Sequence, residues 1–233
     1  LIGAFGNDGS WSNDVSDAAW SVADNWTNNV IAGGVGKTAY FTNAITADRI
    51  VVQDSNSVFV GNLTFGSAGP FNWTLTSNAI QLASDGQPVI TVSTNTAVIS
   101  SVITGIQGFV KSGPGLLVLS ATNTYTGTTR INNGTVYIAD DANLGLSGGG
   151  LAFGGGTLWI TNSFILNNRS VALNAAGGVL NIESSSTLTI TNPVTGGNSL
   201  TKNGQGSLVM GGSNVVSALK LNAGSITLTG SST

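Results

Sequence analysis

Few residues in this chain can do acid–base or nucleophilic chemistry. Its 233 positions include one glutamate, Glu183, nine aspartates, four lysines and three arginines, and neither histidine nor cysteine. That excludes a Ser-His-Asp triad, a cysteine nucleophile and an ordinary zinc site. Proton transfer would fall to carboxylates, lysine or tyrosine. The most suggestive group is Asp140-Asp141, with Lys111 and Arg130 upstream, because polysaccharide cleavage uses carboxylates beside a basic residue. Successive strand residues point to opposite faces, however, so both aspartates can serve one groove only from a turn. Asp8, Asp14, Asp17 and Asp24 offer oxygen ligands for calcium, but their spacing matches no EF-hand, and turn capping accounts for them. Gly33-Gly34-Val35-Gly36-Lys37-Thr38 imitates the end of a phosphate-binding loop, yet Ile31 stands where that motif needs glycine. The expectation is a protein with no catalytic residues, no cofactor and no metal.

Composition points the same way. Only seven cations balance ten anions, for a net charge of −3, which leaves no basic patch for nucleic acid. No run of eighteen apolar residues exists to span a membrane as a helix. Glycine (33), serine (27), threonine (27) and asparagine (25) dominate. Disordered chains combine low hydrophobicity with high net charge. Here 41% of residues are hydrophobic and mean hydropathy is +0.26, so the chain is predicted to fold. Few charges and many short polar side chains suit an extracellular surface, and the first residue, Leu1, is expected to follow removal of an export signal.

Whatever positions these residues is built from strands. Helix formers are scarce and 3.6-residue periodicity is almost absent. Short β-branched or aromatic runs recur throughout, such as Val58-Phe59-Val60, Leu116-Leu117-Val118-Leu119, Thr157-Leu158-Trp159-Ile160 and Ser207-Leu208-Val209-Met210, each bounded by Gly, Asn, Asp or Ser. Related runs return at intervals of roughly 20 residues, the length of one coil of a β-solenoid. About eleven such coils would make a rod near 50 Å long at about 4.8 Å per coil.

An internal repeat strengthens the case. Lys111-Ser112-Gly113-Pro114-Gly115 returns 91 positions later as Lys202-Asn203-Gly204-Gln205-Gly206, and Asn123 returns as Asn214. After one deletion, Asn133-Gly134 matches Ala223-Gly224. Residues 61–138 and 149–228 therefore read as two approximate copies within a solenoid spanning 49–233, preceded by a Trp-rich segment over 1–48. Asparagines at turns, such as Asn132, Asn143, Asn174, Asn181 and Asn222, are expected to stack into amide ladders. The stretch from Gly108 to Ile138, with its Lys-x-Gly-x-Gly turn, Leu-rich strand and Asn123-Thr124-Tyr125-Thr126-Gly127, resembles the autotransporter-associated β-strand repeat. The second copy keeps Lys202, Gly204, Gly206, Asn214 and Gly224 but lacks the Tyr-Thr-Gly. The resemblance implies a right-handed parallel β-helix from an exported bacterial surface protein, with no enzymatic activity.

Trp11, Trp20 and Trp26 admit two readings. They form either an aromatic sugar platform or, as we expect, a plug over the first coil, because a solenoid must close its ends or polymerise. Leu1, Ile2 and Phe5 begin an apolar segment suited to donation as a strand to a neighbour. The functional expectation is a structural extracellular subunit that associates head to tail with copies of itself into a filament. The alternative is an adhesin or passenger fragment that binds surface glycans.

Overall fold

A computed structural model describes residues 6–56, 58–166 and 168–230. The chain winds as a parallel β-solenoid of about nine turns, with about 22 residues per turn. Two sheets run along most of its length. The first follows Gly9–Ser10, Gly34–Phe41, Val58–Phe65, Val89–Val92, Phe109–Ser112, Thr129–Ile131, Leu151–Phe153, Val171–Leu173 and Val194–Thr195. The second, of ten strands, starts at Ala18–Ala19 and passes through Leu116–Leu119, Thr135–Ile138, Thr157–Ile160, Gly178–Ile182 and Ser199–Asn203 to Ala218–Leu221. A third sheet opens only late, with Phe164–Leu166, Thr187–Ile190, Ser207–Met210 and Ser225–Leu228. Every strand pair named here is parallel. Nine coils at about 4.8 Å give a rod of about 43 Å.

The alternation that makes each run a strand also makes the core. Leu117 and Leu119 point inward and are buried, while Leu116 and Val118 are half-exposed. Inward residues then stack from coil to coil. Leu117 pairs with Val136, Val136 with Leu158 and Leu158 with Leu180, and all four are buried. Each such side chain contributes about 1.5–3 kcal/mol by leaving water, and repetition of the column makes very short strands cooperative.

The coil count falls below the eleven expected because coils are longer than 20 residues where the outline bulges. Arg49 pairs with Trp73, a step of 24 residues, while Leu117 pairs with Val136 after only 19. The first coil is longest, since Ala18 pairs with Val51. Its extra length carries two short 3₁₀ turns and the tryptophans that fill the tip. Trp11, Trp20 and Trp26 are 2%, 0% and 1% exposed. Their rings meet at 5.1 Å centroid distances and pack on Phe41, which in turn stacks on Phe65 at 5.2 Å. Each indole N–H has an acceptor: Asn13 O for Trp11, Ala32 O for Trp20 and Trp20 O for Trp26. The rings fill the tip and present no face to a sugar. Leu1, Ile2 and Phe5 lie outside the described residues.

At the other tip the last coil has nothing over it among the described residues. Leu221 and Leu228, on the strands Ala218–Leu221 and Ser225–Leu228, are 50% and 43% exposed.

The repeat of Lys111 at Lys202 does not come round to the same side of the rod. Lys111 lies in the first sheet, in Phe109–Ser112, whereas Lys202 lies in the second, in Ser199–Asn203. Lys202 stands over Leu180, Leu158, Val136 and Leu117, four coils above the residue six places after Lys111. The 91-residue offset is thus four coils plus one corner. The first copy turns from first to second sheet and the second copy from second to third.

Candidate functional site

The repeated lysine turns are structural plugs. Lys111 and Lys202 are both 0% exposed. Lys111 Nζ donates to Ser112 O at 2.8 Å, Gly113 O at 2.7 Å and Asn133 O at 3.2 Å. Lys202 Nζ repeats this with Asn203 O, Gly204 O and Ala223 O at 2.7, 2.7 and 3.2 Å. Each ammonium therefore joins its own turn to the turn of the next coil. Burial pushes Lys111 down to about 8 and moves Lys202 in the same direction.

The glycines shape the space around each ammonium. Gly113 and Gly204 supply carbonyls to it, while Gly115 and Gly206 lead into the next strand. Gly134 and its counterpart Gly224 sit at φ 68° and 75°. A Cβ on Gly134 would lie 2.5 Å from Gly113 O, 2.6 Å from Gly115 O and 2.9 Å from Lys111 Nζ. Gly134→Ala is therefore expected to cost about 2 kcal/mol or more, a fall of about 4–8 °C in Tm by thermal unfolding. An unchanged Tm would mean the turn relaxes freely.

The two repeat asparagines bridge coils. Asn123 Oδ1 accepts from Ile103 N–H at 2.7 Å and Asn123 Nδ2 donates to Asn143 O at 2.6 Å. Asn214 Oδ1 accepts from Val194 N–H at 2.9 Å, with Nδ2 on Gly211 O at 3.1 Å. Both are 1% exposed, and their bonds run to backbone groups. A direct amide-to-amide contact occurs on the surface, from Asn222 Nδ2 to Asn203 Oδ1 at 2.8 Å. Tyr125, two residues after Asn123, buries its ring beside Phe109 and shares a 2.7 Å hydrogen bond with Thr129. Gly127 lets the chain pass against the backbone of Gln107.

The acidic candidates are engaged in structure. Asp140 caps a 3₁₀ turn over Asp141–Leu144, accepting from Ala142 N–H at 2.8 Å. Asp141 accepts from Arg169 Nε at 2.5 Å, and Arg169 is 0% exposed. That guanidinium also donates to the carbonyls of Leu144, Leu146 and Gly149 through Nη1, and of Asp141 and Gly145 through Nη2. One side chain holds the excursion 139–150 on the rod. Arg130 is half-exposed on the first sheet, and Lys111 is sealed away. An open groove of about 640 Å³ runs past Asp140, Asp141, Leu146 and Ile165.

At the other end, Asp8 accepts from Thr38 N–H, and Asp14 from Thr46 and from Arg49 Nε at 2.6 Å. The Arg49 bond, aided by Thr46, holds the Asp14 carboxyl below its usual range. Asp24 accepts from Asn29 Nδ2. Asp17 sits at a positive-φ turn. Gly34–Phe41 is a strand leading into no helix. Among the described residues no helix is long and apolar enough to cross a membrane.

One surface combines functional side chains in a way the sequence reading passed over. On the outer face of the second sheet, register places Val118, Tyr137, Trp159, Asn181 and Asn203 in one column. Beside it runs a column of Leu116, Thr135, Thr157, Val179 and Thr201. Tyr137 and Trp159 are half-exposed, with ring centroids 5.4 Å apart and planes at 75°. Trp159 Nε1 donates to Glu183 Oε1 at 2.7 Å, so the sole glutamate fixes the indole. The signal was present in sequence, because these two aromatics sit at the outward position of aligned strands. It becomes visible only once the 22-residue step between them is known.

Residues 109–138 and 200–217 match the passenger-associated-transport-repeat family. These two stretches, each holding a Lys-x-Gly-x-Gly turn, fit an autotransporter-associated β-repeat. Over 100 residues it is 41% identical to a protein of Brucella suis biovar 1 (strain 1330) named adhesin BmaC autotransporter. That stretch covers 43% of this chain and 3% of the Brucella protein's length. No solved structure matches the chain.

Proposed function

We propose that this chain is a non-catalytic rod segment of a bacterial surface passenger of the adhesin type. The observation that carries the reading is the employment of its ionisable groups. Of the group weighed for catalysis, Asp140, Asp141 and Lys111 hold turns or coils together, as Lys202 and Arg169 do, and Arg130 stands apart from them on the first sheet. The likeness to the Brucella adhesin supports a place outside the cell, and the passenger repeats support carriage there as part of an exported polypeptide. The role of such a rod is to hold a lateral surface away from the membrane. Displayed on a non-adherent bacterium, the chain should raise attachment to host cells or to a coated surface. No gain over an unrelated solenoid displayed at the same density would overturn the reading.

A second reading is head-to-tail self-association into a filament, to which the exposed Leu221 and Leu228 would offer apolar contact. Light scattering should show a mass that keeps growing as concentration rises, with fibres in electron micrographs. A strictly monomeric mass and no fibres would reject it.

A further inference from the structure

The geometry points to a binding site for a neutral, linear polysaccharide on the outer face of the second sheet, centred on Tyr137 and Trp159. The inference rests on the adhesin reading and names its ligand class.

Four of the five tryptophans, Trp11, Trp20, Trp26 and Trp73, are buried with their N–H groups satisfied inside the rod. Trp159 alone reaches the surface, and its indole is held by Glu183 rather than left to rotate. A half-exposed aromatic pair set edge to face, its indole held in place, offers apolar surface to the C–H side of a pyranose with little ordering entropy left to lose. Next along the same column come the amides of Asn181 and Asn203, with Asn222 bonded to Asn203. The hydroxyls of Thr135, Thr157 and Thr201 flank them. Amides and hydroxyls donate and accept, which is what sugar hydroxyls require.

The spacing suits an extended ligand. Rungs repeat at about 4.8 Å, a little under the advance of one β-linked pyranose, so an oligosaccharide lying along the rod sets about one sugar against each coil. From Tyr137 to Asn203 the strip spans four rungs. No side chain within its two columns is charged over that span, and the one adjoining charge, the Glu183 carboxylate at the indole, repels a uronate polymer or nucleic acid and leaves a neutral glycan favoured. The chemistry is recognition alone, for Glu183 is bound to the indole and no second carboxylate lies in these columns.

The buried tryptophans make the test clean. Titrating the intact chain with cellohexaose and mannohexaose should shift Trp159 emission and protect it from acrylamide. Trp159→Ala should remove the signal, with isothermal calorimetry showing a loss of about tenfold or more in affinity. Tyr137→Ala should weaken binding while leaving the Trp159 signal readable. Because both side chains point outward, circular dichroism and Tm of these variants should stay close to the parent, and Trp159→Phe should restore part of the binding. The proposal is overturned if neither oligosaccharide is bound, if calorimetric binding survives Trp159→Ala unchanged, or if polygalacturonate or an apolar peptide binds and neutral glycans do not. Binding in solution with no effect of Trp159→Ala on cell attachment would leave the site standing and remove the adhesin reading instead.

Discussion

Replacing Arg169 by methionine should lower stability by about 3–5 kcal/mol, the usual result of removing one partner from a buried ion pair. Methionine keeps much of the apolar stem, so the loss isolates the guanidinium. Six acceptor groups depend on it: the Asp141 carboxylate and the carbonyls of residues 141, 144, 145, 146 and 149. Most of those carbonyls lie under the excursion, where water cannot replace the donor without opening it. Coils of a solenoid contact only their neighbours, so damage should stay local. Hydrogen exchange should quicken first over 139–150, while strands near Phe41 and Phe65 keep their protection. Asp141→Asn, which leaves the carbonyl bonds in place, should cost less. Parent-like exchange over 139–150 in the methionine variant would contradict the staple.

Removing a lysine plug comes next in size among single changes. Lys111→Met and Lys202→Met should each cost about 2–3 kcal/mol, since each strands three carbonyls in a closed turn. The sites lie four coils apart and share no partner, so the double variant should lose close to the sum. A pH series separates the charge from the packing. Burial lowers the folded Lys111 to about 8 from an ordinary 10.5. Between those values the unfolded chain holds more protons than the folded one, so stability rises with pH across that window. Below about 8 both states are protonated and the lysine contributes no slope. Tyr125 acts oppositely, because burial raises its phenol and the unfolded chain ionises first above about 10. The parent should therefore gain Tm from pH 8 to 10 and lose the trend beyond. The double methionine variant should lack the gain. A parent profile flat from pH 8 to 10 would mean the carbonyls hold the proton against burial.

The architecture was legible because it rests on local alternation. Runs such as Leu116-Leu117-Val118-Leu119 state their own inside and outside, and the Lys-x-Gly-x-Gly turns mark corners. Coil number was less legible, since an excursion like 139–150 adds length without adding a strand to either long sheet. Arg169 was invisible to pattern reading, as its partners are mostly carbonyls and no residue type announces a carbonyl. Its rarity was the available clue, for in a chain with three arginines each one needs a reason. Tyr137 and Trp159 read as ordinary strand aromatics until register joined them across 22 positions. The tryptophans of the tip show the reverse, since their clustering in sequence already implied a shared interior.

The corner gained between Lys111 and Lys202 governs how such a rod displays its decoration. A motif recurring every 91 residues advances four storeys and turns to a fresh azimuth, so successive copies trace a screw thread rather than a single file. Any partner gripping one copy approaches the next from a different compass bearing, and a flat surface pressed against the shaft meets only some of them at once.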